Sequence, residues 1–135
     1  MNAPFSSPDH ELDALFRPRS VAVIGASREP SAIGHKVLRG IVTAGFPGPV
    51  YPVNPKASEL LGLRCYPSAR ELPGPVDLAV VTVPAALVES VLEDCAVAGV
   101  RALVLVTAGF AELGPEGREK QAALLRRARA LGIRI

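Results

Sequence analysis

Residues 21–37 read VAVIGASREPSAIGHKV: an apolar run that stops at glycine, a loop punctuated by serine and glycine, and then the start of a helical stripe. Strand, glycine turn and helix in that order form half of a parallel crossover unit, which commits the chain to a sheet with helices packed on it. The same order builds a cradle for an anion. A parallel strand ending in Gly25 aims the next backbone N–H groups past the sheet edge, and a helix beginning near Ile33 adds its partial positive pole. Gly25, Ala26, Ser27, Ser31 and Gly34 are the candidate contacts. The loop is not the usual dinucleotide fingerprint: Ala26-Ser27-Arg28-Glu29-Pro30 follows Gly25 and the next glycine is Gly34, so the G-x-G-x-x-G spacing is not met.

A second strand is predicted at Val50 to Val53, ending in Asn54-Pro55-Lys56. A nicotinamide-binding domain usually carries Asp or Glu there to accept from the ribose 2′-hydroxyl. Asn54 and Lys56 stand in its place. An ammonium at that point attracts a phosphate on the adenosine ribose, so the site favours a phosphorylated nucleotide, a description that coenzyme A and NADP both meet. A lysine after a strand is ordinarily a surface residue; its position at the tip of strand two is what makes Lys56 a candidate.

The remaining elements follow from periodicity and punctuation. Glu11 to Phe16 reads as a short helix with Leu12, Leu15 and Phe16 on the sheet, ended by Pro18. Ile33 to Ala44 carries an apolar stripe of Ile33, Val37, Leu38, Ile41 and Val42, stopped by Gly45. Ser58 to Leu61 is expected to make a helical turn and Arg64 to Tyr66 a short edge strand. Leu78 to Val83 reads as a central strand, and Pro84 starts a helix from Ala85 to Ala98 that buries Leu87, Val88, Val91, Leu92 and Cys95. Ala102 to Val106 is a further strand, and Pro115 to Leu131 a helix with Leu124, Leu125, Ala128 and Leu131 inward. Ile133 to Ile135 begins a last strand.

Such alternation predicts an α/β fold, a Rossmann-like doubly wound parallel sheet of order 3-2-1-4-5-6 in a single domain. The switch point then lies between strands one and four. Ligands bind outside the carboxyl ends there, so Val83, Pro84, Thr107, Gly109 and Phe110 join the loop after Gly25 as crevice-lining candidates. The chain of 135 residues is 49% hydrophobic with a formal net charge of +2. That suits one compact domain over residues 11–135 behind a loose 1–10, and it supports no broad nucleic-acid or membrane affinity. Cys65 and Cys95 have neither C-x-x-C nor zinc spacing, and a reduced, buried role with cytoplasmic residence is expected, there being no signal-peptide pattern.

The runs GASREPSAIGHKV, VNPK, VDLAVVTVPA and LVTAGFAE, in that order, resemble the coenzyme A-binding domain of NDP-forming (ADP-forming) acyl-CoA synthetases. That domain is related to the succinyl-CoA synthetase α subunit and also fronts protein lysine acetyltransferases fused to a GNAT domain. The similarity runs from about Leu12 to the end. It implies a coenzyme A site with no catalytic residue and no metal in this chain, and downstream domains or a subunit carrying the nucleotide site and the relay histidine. The succinyl-CoA synthetase branch has an acid where Ala108 stands, so that contact is not carried over. The resemblance places the G-P-N motif after the strand beginning at Ile133, so the chain is expected to be a fragment truncated in its last strand, binding ligand without turnover.

Other residues read more plainly. His35 has no carboxylate at useful local spacing and is expected to be a surface or loop-supporting histidine; Arg126, Arg127 and Arg129 are expected on the solvated face of the last helix. The same residues leave two other readings open. One is a regulatory module, ahead of a GNAT acetyltransferase or as a free-standing coenzyme A sensor, and the other, weaker, is an NADP-binding domain.

Overall fold

The computed structural model describes residues 13–106 and 114–135. Four parallel strands, β1 (Val21–Ile24), β2 (Val50–Val53), β5 (Leu78–Val81) and β6 (Ala102–Leu105), form one sheet in the order β2-β1-β5-β6. The register is level across it: Val21 pairs with Val50 on one side and Leu78 on the other, and Leu78 pairs with Ala102. Helices α1 (Ile33–Thr43), α2 (Ala85–Val97) and α3 (Pro115–Ala130) are the crossovers. Strand residues alternate between two cores, as the pleat requires. Ala22, Ile24, Ala79, Val81 and Leu103 pack with α2 and α3, while Val21, Val23, Leu78, Val80 and Ala102 belong to clusters that include α1 residues.

The expected order 3-2-1-4-5-6 holds with both outer strands reduced to single parallel bridges, Val53 to Tyr66 and Ala102 to Arg134. Pro52 explains the first. Tyr66 donates to the Pro52 carbonyl at 2.9 Å and accepts from the Asn54 N–H at 2.9 Å, but Pro52 has no N–H to extend the ladder toward the start of β2.

The helical turn expected at Ser58 to Leu61 is absent. Instead β3 (Glu59–Leu60) and β4 (Leu63–Arg64) form an antiparallel hairpin, which also removes Arg64 from the expected edge strand. The turn has Leu61 at φ 50° and Gly62 at φ 80°, the φ pattern of a type I′ turn.

Several residues assigned to buried stripes are exposed. Phe16 is 72% exposed: residues 13–16 make barely one helical turn, and with Ala14 inward a residue two positions on lies about 200° round the axis. Leu15 does pack on the core, and Leu12 lies outside the described residues. Ile33 and Leu87 are half-exposed because they sit in the first turns of α1 and α2, at the carboxyl ends of the strands. Val42 and Leu125 flank narrower stripes centred on Leu38 and on Leu124 with Ala128. Both cysteines are free and buried.

Candidate functional site

The crevice is framed where β1 and β5 end side by side. Gly25 leaves β1 at φ 96°, a conformation that side chains rarely adopt, and its N–H donates to the Val53 carbonyl at 3.1 Å. Thr82 ties the next strand in. Its N–H and its hydroxyl both donate to the Ile24 carbonyl, at 2.8 and 3.1 Å. A Cβ on Gly34 would collide with the Gly25 carbonyl oxygen and touch the Thr82 hydroxyl. Gly34 therefore lets α1 start directly against the end of β1, so the loop between them has no slack.

Within that loop the carbonyls are braced from outside. The Asn54 side-chain N–H donates to the Ala26 carbonyl at 2.8 Å, while its side-chain oxygen accepts from the Lys56 N–H at 2.7 Å. His35 Nδ1 lies 2.9 Å from the Ser27 carbonyl oxygen. By contrast, the N–H groups of Ala26, Ser27 and Arg28 have no partner among the described residues. Consecutive free N–H groups at the mouth of a parallel sheet are the elements of an anion nest.

Not every expected contact is free to serve. The Ser27 hydroxyl accepts from the Glu29 N–H at 3.0 Å, and the Ser31 hydroxyl donates to the Glu29 carboxylate at 3.1 Å. That carboxylate is a negative charge inside a loop read as an anion site. Both polar ends of Asn54 are committed to the scaffold, so its part is to brace. Lys56 is exposed in the turn after β2, in no ion pair among the described residues, and Arg28 projects from the loop itself. Val83 and Pro84 lead from β5 into α2, where Pro84 is the N-cap residue. Thr107, Gly109 and Phe110 lie outside the described residues.

His35 meets the loop-supporting reading through the Ser27 carbonyl, and Arg28 is a loop residue that the sequence reading did not single out. Nothing in local spacing couples a helix residue to a carbonyl eight positions earlier, although the S-x-x-x-x-x-x-x-H separation is fixed once Gly25 and Gly34 touch. Beneath the loop, the Cys65 thiol faces the Asn54 carbonyl at 3.7 Å, and burial holds its pKa above the ordinary thiol value. It is in the neutral form that an apolar pocket favours. A groove of about 520 Å³ lies apart from these residues, between α3 and residues 132–135. No helix among the described residues is long and apolar enough to cross a membrane.

Comparison with known proteins gives the family of the chain. Residues 19–135 match the CoA binding domain family. The chain is 43% identical over 128 residues to the acetate–CoA ligase (ADP-forming) I subunit alpha of Pyrococcus furiosus, covering 92% of this chain and 28% of that protein. It is 44% identical over 131 residues to acetate–CoA ligase (ADP-forming) II of Archaeoglobus fulgidus, covering 97% and 19%. Among solved structures, the dinucleotide forming acetyl-coenzyme A synthetase 1 of Ca. Korarchaeum cryptofilum, in complex with phosphate and ADP, superposes with a TM-score of 0.86 at 47% identity. The match covers 90% of this chain and 26% of that one. The chain thus spans under a third of the length of each of these relatives.

Proposed function

Because the chain belongs to the CoA binding domain family and is homologous to the N-terminal part of ADP-forming acyl-CoA synthetases, we propose that it binds coenzyme A at the carboxyl ends of β1, β2 and β5. The observation that carries the site is the combination of the Ser27 and Arg28 N–H groups and the Lys56 ammonium at the tip of β2, all without a partner among the described residues. In this reading the loop holds the pyrophosphate of the ligand and Lys56 its ribose phosphate. Gly25 and Gly34 give the backbone its close approach, Ala26 and Asn54 support it, and Ser31 joins if the Glu29 carboxylate releases it. Val83 and Pro84 complete the wall in this reading, and Thr107, Gly109 and Phe110 remain contacts expected from the sequence, outside the described residues.

The reaction of an ADP-forming ligase consumes a carboxylate, ATP and coenzyme A and yields acyl-CoA, ADP and phosphate. This chain supplies the coenzyme A site of such an enzyme, with other domains or a partner subunit carrying the nucleotide chemistry. The acetyltransferase and sensor readings are not better supported, and a dinucleotide site would lack the second glycine of the G-x-G-x-x-G loop, with an NAD site lacking in addition the ribose-binding acid at the end of β2. Calorimetric titration with coenzyme A, NADPH and NADH separates these readings. Coenzyme A is expected to bind most tightly, and comparable or tighter NADPH binding would turn the assignment toward a dehydrogenase domain.

A further inference from the structure

We propose that His35 is a positioning residue for the phosphate-binding loop, acting by fixing the Ser27–Arg28 peptide so that the Arg28 N–H faces the ligand. The proposal rests on the coenzyme A reading above and adds to it the device that shapes the loop. A carbonyl oxygen has no hydrogen to give, so in the 2.9 Å contact it is Nδ1 of His35 that donates to the Ser27 carbonyl. All described peptide bonds are trans, and in a trans peptide the C=O and N–H point in opposite directions. Holding the Ser27 carbonyl toward α1 therefore turns the Arg28 N–H away from α1. Asn54 does the same one peptide earlier: its side-chain N–H holds the Ala26 carbonyl toward the β2 tip and turns the Ser27 N–H away from it.

Two adjacent peptides are thus pinned by their carbonyls, from two different elements, and both of the N–H groups this releases are without a partner among the described residues. A loop whose donors faced the scaffold would have satisfied them internally. His35 is half-buried in the first turn of α1, which Gly34 presses against Gly25, so the imidazole has a rigid base from which to hold the loop. The ring needs no charge for this, because Nδ1 carries a hydrogen in the neutral Nδ1–H tautomer as well as in the protonated form.

The test uses the whole chain with His35→Ala and His35→Asn, the latter keeping a side-chain N–H near the place of Nδ1. Affinity for coenzyme A is expected to fall about tenfold in His35→Ala and to return to within about threefold of the parent in His35→Asn. The loss should be the same factor for 3′-dephospho-coenzyme A, since the contact concerned is with the pyrophosphate. Equal binding by parent and His35→Ala, or failure of Asn to improve on Ala when both melt as the parent does, would overturn the proposal. A ligand-free measurement stands beside this: ¹⁵N NMR of the neutral imidazole should show the Nδ1–H tautomer, and a dominant Nε2–H tautomer would overturn the clamp. Absence of binding by the parent protein would instead strike the coenzyme A assignment, leaving the tautomer to decide whether His35 holds the loop.

Discussion

The ammonium of Lys56 is exposed, while its own N–H is fixed by the Asn54 side chain, so the backbone from which it reaches is held and only the side chain moves. Lys56→Ala should then remove one charge-assisted contact and leave the turn intact, costing roughly 1.5–3 kcal/mol, or less where solvent screens the pair. The expected signature is a choice between ligands: the variant loses its preference for coenzyme A over 3′-dephospho-coenzyme A and binds the latter as the parent does. Titrating both proteins with both ligands isolates that interaction, and an unchanged preference would return Lys56 to the ordinary surface. At this scale the sequence disclosed identities better than roles. Gly25, Gly34, Asn54 and Lys56 could be named because strand-end position and glycine spacing are local signals. That Asn54 is a brace and His35 a clamp depends on hydrogen bonds spanning 28 and eight residues, and such bonds impose no periodicity on the chain.

Among the elements, the hairpin β3–β4 is the one whose sequence conflicts with its geometry. Leu61 holds φ 50° on an exposed turn, where a γ-branched side chain gains nothing from burial to offset the left-handed backbone. Leu61→Asn, giving the Asn-Gly pair that type I′ turns prefer, should raise stability by about 1 kcal/mol and the melting temperature by a few degrees, measured by thermal unfolding. No change would mean that the strain is relieved elsewhere in the hairpin. The same conflict explains why the hairpin was illegible. The two-residue turn reads Leu61-Gly62 and lacks the Asn-Gly or Asp-Gly signal of a hairpin, whereas the three helices announce themselves through eleven or more residues of stripe and through Pro84, Pro115, Gly45, Gly99 and Gly132 at their ends. Ile33, Val42, Leu87 and Leu125 lie at stripe edges and are exposed, because a periodic pattern shows which face turns inward but not how wide a face the sheet covers.

For the molecule as a whole, the buried thiols couple folding to alkaline pH. Burial, with Asp94 beside it, pushes the Cys95 thiol up to about 12 from an ordinary value of 9.0, and burial moves Cys65 the same way. Between pH 9 and 12 the folded protein keeps a proton on Cys95 that the unfolded chain releases. Protons bound by the native state then exceed those bound by the unfolded state, so stability is fully present below pH 9 and falls as pH rises, by at most about 1.4 kcal/mol per unit from this group. Urea midpoints at pH 8, 9.5 and 11 should decline less steeply in Cys95→Ala than in the parent, even though the variant starts lower because of the cavity it creates. Parallel declines would show that other groups carry the effect.

The level register of the sheet also orders events in time. β1 leaves the ribosome before the other strands of the sheet, yet Val21 sits between Val50 and Leu78, so one of its two neighbours arrives only after β2 and the β3–β4 hairpin have been made. Closure of β1 with α1 and β2 is comparatively local, whereas the fit of Gly25 and Gly34 around Thr82 waits for β5. A ligand that needs that fit meets nothing to hold until the sheet is complete. Bound coenzyme A would accordingly act as a latch on the finished domain, slowing its opening without hastening its assembly.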